Sequence, residues 1–413
     1  MRINKILIPP VLVVIYFVSC TCNKKTISDQ KAGEEFPRGS YGYDAAFLKK
    51  YLHPVVELSD SIGSVKILVS PGYQGRVMTS SSGGDSGFSF GWINYDLIAA
   101  QKFKPQFNPV GGEERFWLGP EGGQFALYFS KGDSFTLSHW QVPPILDTIP
   151  FDLTVSDRSH VKFSKKATLL NYAGTSFQLG ITRSIRLLEH KAIEEKLKIS
   201  LPVDIKAVAF ESENEIRNEG NYPWKKEKGL LSIWLLGMMT PTAQTVVCIP
   251  FLPGPHSREY ITDNYFGKIP VERLKVKDSL LLFTCDGKDR SKLGLSPKVA
   301  GSLAASFDFE KNVLTLIYFP VDRNGLYVNS KWEIQAQPYS GDVVNSYNDG
   351  PLADGTQLGP FYEIESSSPA MELKPGETEK HQQVTCHLTG NYQSLRKIAR
   401  TLLGVDLDEM KKM

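Results

Sequence analysis

The stretch Gly111-Gly112-Glu113-Glu114-Arg115-Phe116-Trp117-Leu118-Gly119-Pro120-Glu121-Gly122-Gly123 packs more chemistry into a few residues than any other part of the chain. Its glycines and Pro120 argue against a long regular element, so it reads as a loop holding carboxylates, a guanidinium and an indole. Loops of this kind tend to carry function. An indole gives a sugar ring an apolar face to stack on, and Glu and Arg hydrogen-bond hydroxyls in fixed directions. Glu113, Arg115, Trp117 and Glu121 are therefore candidates for a carbohydrate site. The same residues also describe a structural turn with an internal Arg to Glu pair and a core Trp.

Three more segments share this character. Arg76 sits in Gly75-Arg76-Val77-Met78, ahead of a polar stretch and of Phe90-Gly91-Trp92-Ile93-Asn94-Tyr95, which reads as a return to an aromatic strand. Trp140 lies in His139-Trp140-Gln141 before Pro143-Pro144; both Trp92 and Trp140 also suit a core. Glu363 and Glu365 are two apart on a strand-like run and so face the same side. Buried, such a pair repels and raises a pKa, which makes a carboxylate a usable base near neutral pH; on a wet face both are simply solvated. His381 and His387 could ligate a metal, but hydrogen-bonded sheet histidines are the commoner case, and neither metal nor cofactor is expected. No Gly-x-Ser-x-Gly elbow, P-loop, His-Glu-x-x-His or strand-linked dinucleotide fingerprint is present.

These residues need a scaffold, and its pattern is β. Runs rich in Val, Ile, Leu, Phe, Tyr and Thr recur at 65–70, 125–129, 161–163, 177–182, 199–201, 208–211, 230–236, 245–250, 279–285, 313–319, 332–338, 362–366 and 383–388. Between them lie Lys131-Gly132-Asp133, Asp286-Gly287, Asn324-Gly325, Asp349-Gly350 and Asp354-Gly355, the turn punctuation of antiparallel sheet. Helical periodicity is confined to Tyr43–Tyr51, where Ala46, Phe47 and Leu52 could share a face, and to Tyr392–Leu403. There Leu395, Ile398, Ala399, Leu402 and Leu403 form a stripe suited to packing on a sheet. No repeat of propeller or solenoid length appears. The expected fold is all-β: one large antiparallel β-sandwich over residues 41–413, with short N-terminal and C-terminal helices.

The N-terminus predicts export. Arg2 and Lys5 precede an apolar run from Ile6 to Val18 that ends at Ser19-Cys20, too short to span a bilayer and laid out as a cleaved signal. Phe17-Val18-Ser19-Cys20 resembles a bacterial lipobox, which implies lipidation of Cys20, a signal peptide over 1–19 and a membrane-tethered product. The polar residues 20–40 lack the apolar content to order themselves and read as a flexible tether. An exported protein of the cell envelope, on the outer membrane, is the expected location. Cys22, Cys248, Cys285 and Cys386 follow no zinc or redox spacing; the last three sit in apolar runs as free thiols, with a disulfide among the four as the alternative. With 47 basic and 45 acidic side chains interspersed, the net charge of +2 points to no nucleic-acid partner.

One resemblance ties these pieces together. Leu373-Lys374-Pro375-Gly376-Glu377, leading to His381 and Thr385, resembles the closing strand of galactose mutarotase-like proteins. Glu365 to Pro369 looks like that family's catalytic-glutamate strand. Arg76 is similar to its early Gly-Arg element, and Phe210 to Gly220, with Asn214 and Asn218, to its central strand. The resemblance implies a β-supersandwich with a sugar site on one sheet face, where a Glu takes the anomeric proton and a His protonates the ring oxygen. That His has no counterpart around Asn171-Tyr172-Ala173-Gly174, and the spacing from Glu365 to Pro375 is shorter than the family's. The Gly111 to Gly123 loop also resembles one shared by lipoproteins of Bacteroidota. The leading expectation is an envelope lipoprotein that binds or processes carbohydrate through Arg76, Glu113, Arg115, Trp117, Glu121, Trp140, Glu363, Glu365 and His381. An aldose epimerase, lyase or hydrolase with Glu365 as base and Arg115 as electrostatic partner is one alternative, and a non-catalytic envelope subunit is the other.

Overall fold

The computed structural model describes residues 36–413, so the signal, Cys20, Cys22 and most of the tether lie outside the described residues. Two antiparallel sheets dominate. The larger has ten strands in the order Leu274–Val276, Leu280–Thr284, Thr245–Pro250, Leu303–Asp308, Val313–Tyr318, Thr378–Gly390, Ile205–Asn218, Ser176–Leu187, His160–Leu170 and Asp152–Ser156. The smaller runs Ile261–Thr262, Ser291–Leu295, Val344–Asn348, Tyr362–Ser367, Ser232–Met239 and Arg115–Gly119.

Strict alternation builds the larger sheet. In Ser176–Leu187, Phe177, Leu179, Ile181, Ile185 and Leu187 are buried while their neighbours reach outward. Arg183 occupies the same inward row, fully buried. Its guanidinium donates to Glu114 Oε1 at 2.8 Å and through Nε to the Gly75 carbonyl at 2.9 Å, and it also bonds the Asn214 amide oxygen. Glu114 accepts a second bond from Gln383 Nε2 at 2.8 Å, so this buried charge pair is closed on both sides.

Facing rows from the two sheets interlock: Phe116, Leu118, Ile233 and Leu235 meet Phe163, Phe177, Val208 and Phe210, while Ile364, Val344 and Leu293 meet Val247, Ile249 and Phe283. A third layer covers part of the outer face of the larger sheet. Leu395, Ile398, Ala399 and Leu403 of the helix Tyr392–Leu403 pack there with Ile193 and Leu197 of a second helix, His190–Leu197. Asn391 caps the first of these helices by accepting from Gln393 N at 2.8 Å, and Gly404 ends it at φ 67°. The N-terminal helix Tyr41–Tyr51 packs with the three-stranded sheet Val56–Ser59, Lys66–Ser70 and Arg76–Ser81. It buries Ala45, Phe47 and Leu48, whereas Ala46 is only partly covered.

Four segments differ from the sequence reading. Phe125–Phe129 is apolar because it is buried from Ala126 to Phe129, but it runs as irregular chain. Ile199–Leu201 only follows a helix that ends at Lys198, which adopts a left-handed φ of 54°. Trp332–Pro338 is a loop, and Tyr95 opens the short helix Tyr95–Ala100. Conversely, the loop expected at 111–123 holds a strand, Arg115–Gly119, entered through Gly111 and Gly112 at φ of 99° and 108°. A Cβ on Gly111 would lie 1.9 Å from the Trp92 carbonyl oxygen, so both dihedral and contact require glycine there. Cys248, Cys285 and Cys386 are free and buried. No described helix is long and apolar enough to cross a membrane.

Candidate functional site

The strands of the smaller sheet are buried on both faces, yet one face carries charge. Alternation sends Phe116 and Leu118 inward and Arg115 and Trp117 the other way. Register then lines up the rest: Trp117 stands opposite Trp234, Arg115 opposite Leu236, Leu236 opposite Glu365, Met238 opposite Glu363, Glu363 opposite Tyr347 and Tyr347 opposite Lys292. Loops carrying Phe107, Glu121, Trp140 and Trp332, with the chain following Tyr347, enclose this face. The result is a cavity of about 1010 Å³.

Its floor holds two ion pairs. Arg115 Nη2 lies 3.0 Å from Glu363 Oε1, and Lys292 Nζ lies 2.9 Å from Glu365 Oε2, which also accepts from Trp234 Nε1 at 2.9 Å. The guanidinium of Arg115 stacks over Trp117 at 4.0 Å, and Lys292 sits 4.8 Å from the Trp234 ring. Arg115 and Glu363 meet as charges without hydrogen-bond alignment, which leaves Arg115 Nε and Glu363 Oε1 buried without a hydrogen bond, as is Glu365 Oε1. Two unsatisfied polar atoms on the cavity floor, with a third just beneath it, cost stability unless something polar meets them.

The walls are aromatic. Trp117 packs against Trp234 at 5.5 Å between centroids and Trp140 against Trp332 at 6.1 Å, and Trp140 Nε1 donates to Glu121 Oε1 at 2.9 Å. Burial, reinforced by Glu365 and opposed by Arg115, pushes the Glu363 carboxyl up to about 7. Burial likewise raises Glu121, against the pull of Lys292. For Lys292 burial works against the charge, but Glu365 and Glu121 outweigh it and hold its pKa above the ordinary value.

Of the residues expected in the site, Arg115, Trp117, Glu121, Trp140 and Glu363 line this cavity. Glu365 lies directly beneath, fully buried and reached through Lys292 and Trp234. Arg76, Glu113 and His381 do not reach the cavity. Arg76 is buried against the Gly111 carbonyl at 2.9 Å, and burial, with the like charge of Arg115, lowers it to about 9. Glu113 turns the other way, to Ser80 Oγ at 2.8 Å and His387 Nε2 at 3.1 Å. His381 is paired with Ser366 Oγ at 2.8 Å, and burial lowers its pKa to about 3. Asn214 serves Arg183 and Ser212, while Asn218 ties the Leu373 carbonyl at 2.9 Å. Among the described residues no group of three or more His, Cys, Asp or Glu is placed to hold a metal ion.

Sequence reasoning missed Lys292, Trp234, Tyr347 and Trp332. Lys292 offered one signal, a lysine inside the apolar strand pattern Ser-Lys-Leu-Gly-Leu, where a charge needs a partner.

Solved structures similar to this chain include galactose mutarotase-like proteins. A galactose mutarotase-like protein from Lactobacillus casei is 11% identical, with 81% of this chain and 99% of that one covered at a TM-score of 0.46. The Slr1438 protein from Synechocystis is 11% identical over 82% and 96%, with a TM-score of 0.48. A galactose mutarotase related enzyme from Lactobacillus acidophilus is 10% identical over 82% and 97%, with a TM-score of 0.44. No curated protein matches the sequence. Residues 39–413, nearly all of the described chain, match one family model, and the chain belongs to that family, described as "Family of unknown function (DUF6786)".

Proposed function

We propose that this chain binds carbohydrate in the cavity over the smaller sheet. The observation that carries the proposal is the pairing of an indole wall, Trp117, Trp140, Trp234 and Trp332, with buried, incompletely satisfied Arg115 and Glu363 on the floor and Glu365 directly beneath them. Pyranose rings have apolar faces and polar rims, and a site of stacked rings with fixed donors and acceptors meets both. About 1010 Å³ has room for more than one sugar ring. Titration with neutral and acidic oligosaccharides, read on tryptophan fluorescence, should give a saturable change that weakens about tenfold or more in Trp117→Ala. An unchanged affinity in that variant would remove the cavity from the account.

A catalytic form of the same reading rests on Glu363, which borders the cavity and whose carboxyl titrates near neutrality. At pH 7 it is present both with and without its proton, as a group that must accept and return one requires. On a reducing sugar it would take the anomeric hydroxyl proton while the ring C–O bond opens and the ring oxygen gains a proton. His139 is the imidazole on the cavity lining and our candidate for the source of that proton. Ring closure on the opposite face reverses both transfers.

The location belongs to the proposal as well. The charged, apolar and Ser-Cys segments of residues 1–20 support an exported lipoprotein anchored through Cys20. Metabolic palmitate label on the wild-type chain, absent from Cys20→Ala, is the expected result; equal label on both would exclude that anchor.

A further inference from the structure

We infer that the saccharide taken by this cavity is anionic, and that Arg290 is the residue that reads its negative group. The inference rests on the carbohydrate reading above and adds a substrate class to it. Apart from Lys104, the other charges at the floor and rim are already committed within the protein. Arg115 faces Glu363 and Lys292 faces Glu365. Glu121 accepts from Trp140. Asp349 accepts from the Tyr347 hydroxyl and, at 3.0 Å, from Gly359 N.

Arg290 is different. It lines the cavity, and its guanidinium lies over the Phe266 ring at 3.7 Å from the centroid. Its Nε donates to the Tyr347 hydroxyl at 3.3 Å. Among the described residues no carboxylate comes within ion-pair distance of it, and neither Nη atom has a hydrogen-bond partner. Asp349 acts on the guanidinium through space and through Tyr347, without reaching ion-pair distance.

A guanidinium fixed by ring stacking on its face and by one bond at Nε cannot wander, and it offers the remaining two Nη groups as a planar fork. That is the geometry that grips a carboxylate, or the oxygens of a sulfate or phosphate, in a bidentate way. Lys104, exposed on the same lining, adds a second cation without a carboxylate partner. A neutral sugar would leave both cations to water, whereas an acidic sugar would use the fork.

The test compares acidic oligosaccharides, oligogalacturonate and oligoglucuronate, with their carboxyl-reduced forms, and adds a sulfated neutral oligosaccharide as a separate arm. Affinity for the full chain is measured in low salt and again in high salt. The inference expects the acidic or the sulfated form to bind at least tenfold more tightly than its uncharged counterpart. The advantage should shrink as salt rises and be lost in Arg290→Met. Arg290→Lys, which keeps charge but not the fork, should recover only part of it. The arm that gains the advantage identifies carboxylate or sulfate as the group recognised. Charged and uncharged forms binding equally to the wild-type chain would overturn the inference and leave the carbohydrate reading standing. Binding of none of the sugars would overturn both.

Discussion

Arg183→Met should cost this protein about 3–5 kcal/mol of stability, the loss expected when one partner of a buried ion pair is removed. Arg183 and Glu114 are both fully buried, and they are joined at 2.8 Å between the two sheets. Methionine fills similar space but leaves the Glu114 carboxylate with only Gln383 as a side-chain partner. It also strips the Gly75 carbonyl and the Asn214 amide oxygen of their donor. Since whole domains are stable by only about 5–15 kcal/mol, the variant should unfold at much lower urea concentration or fail to accumulate. The double variant Arg183→Met with Glu114→Gln removes the stranded charge and should regain a good part of the loss. Urea unfolding of the three proteins measures both effects; a single-variant loss below about 1 kcal/mol would show that the pair is not a buried charge at all.

Glu363→Gln should lower any anomerisation of reducing sugars by about 10²–10⁴-fold, the range for losing a positioned general base. Glutamine keeps the shape and can still face Arg115, so folding is spared while proton transfer is lost. The wild-type rate should also carry the titration of this carboxyl. Only the ionised form accepts a proton, so below pH 7 the rate rises about tenfold per pH unit, following a group that burial has raised to about 7. Polarimetry on freshly dissolved sugar gives both the profile and the variant's loss. Equal rates in wild type and variant would confine the cavity to binding.

How much of this was legible beforehand differs between scaffold and site, for a physical reason. The antiparallel strands announce themselves locally, because a residue's partner in the pattern is two positions away. Ser176–Leu187 shows this, and so does the stripe Leu395, Ile398, Ala399 and Leu403 at helical spacing. The same period of two placed Glu363 and Glu365 on one face. What it does not contain is depth along the strand. Only the pairing of Glu363 with Met238 and Tyr347, and of Glu365 with Leu236 and Asn345, decides that the former meets the cavity while the latter is sealed beneath it.

Lys292 reaches Glu365 across 73 positions of chain and Trp332 reaches Trp140 from a loop, distances at which no local pattern speaks. The segment at 111–123 differs from its reading in form. Glycines 111 and 112 turn the chain sharply, and the strand that follows divides the motif between two faces. Arg115 and Trp117 reach the cavity on one side, while Glu114 meets Arg183 in the inter-sheet core on the other. Arg76, Glu113 and His381 share the polar character of site residues because part of the otherwise apolar region between the sheets holds a buried polar network, and such a network draws on the same residue types as a binding site.

A crystal structure of the full chain with an oligosaccharide that binds it would test the central claim most directly. The account predicts a pyranose ring against the Trp117, Trp140 and Trp332 wall, with its hydroxyls meeting Arg115 and Glu363. A sugar bound on any other surface, with that cavity left to solvent, would contradict it.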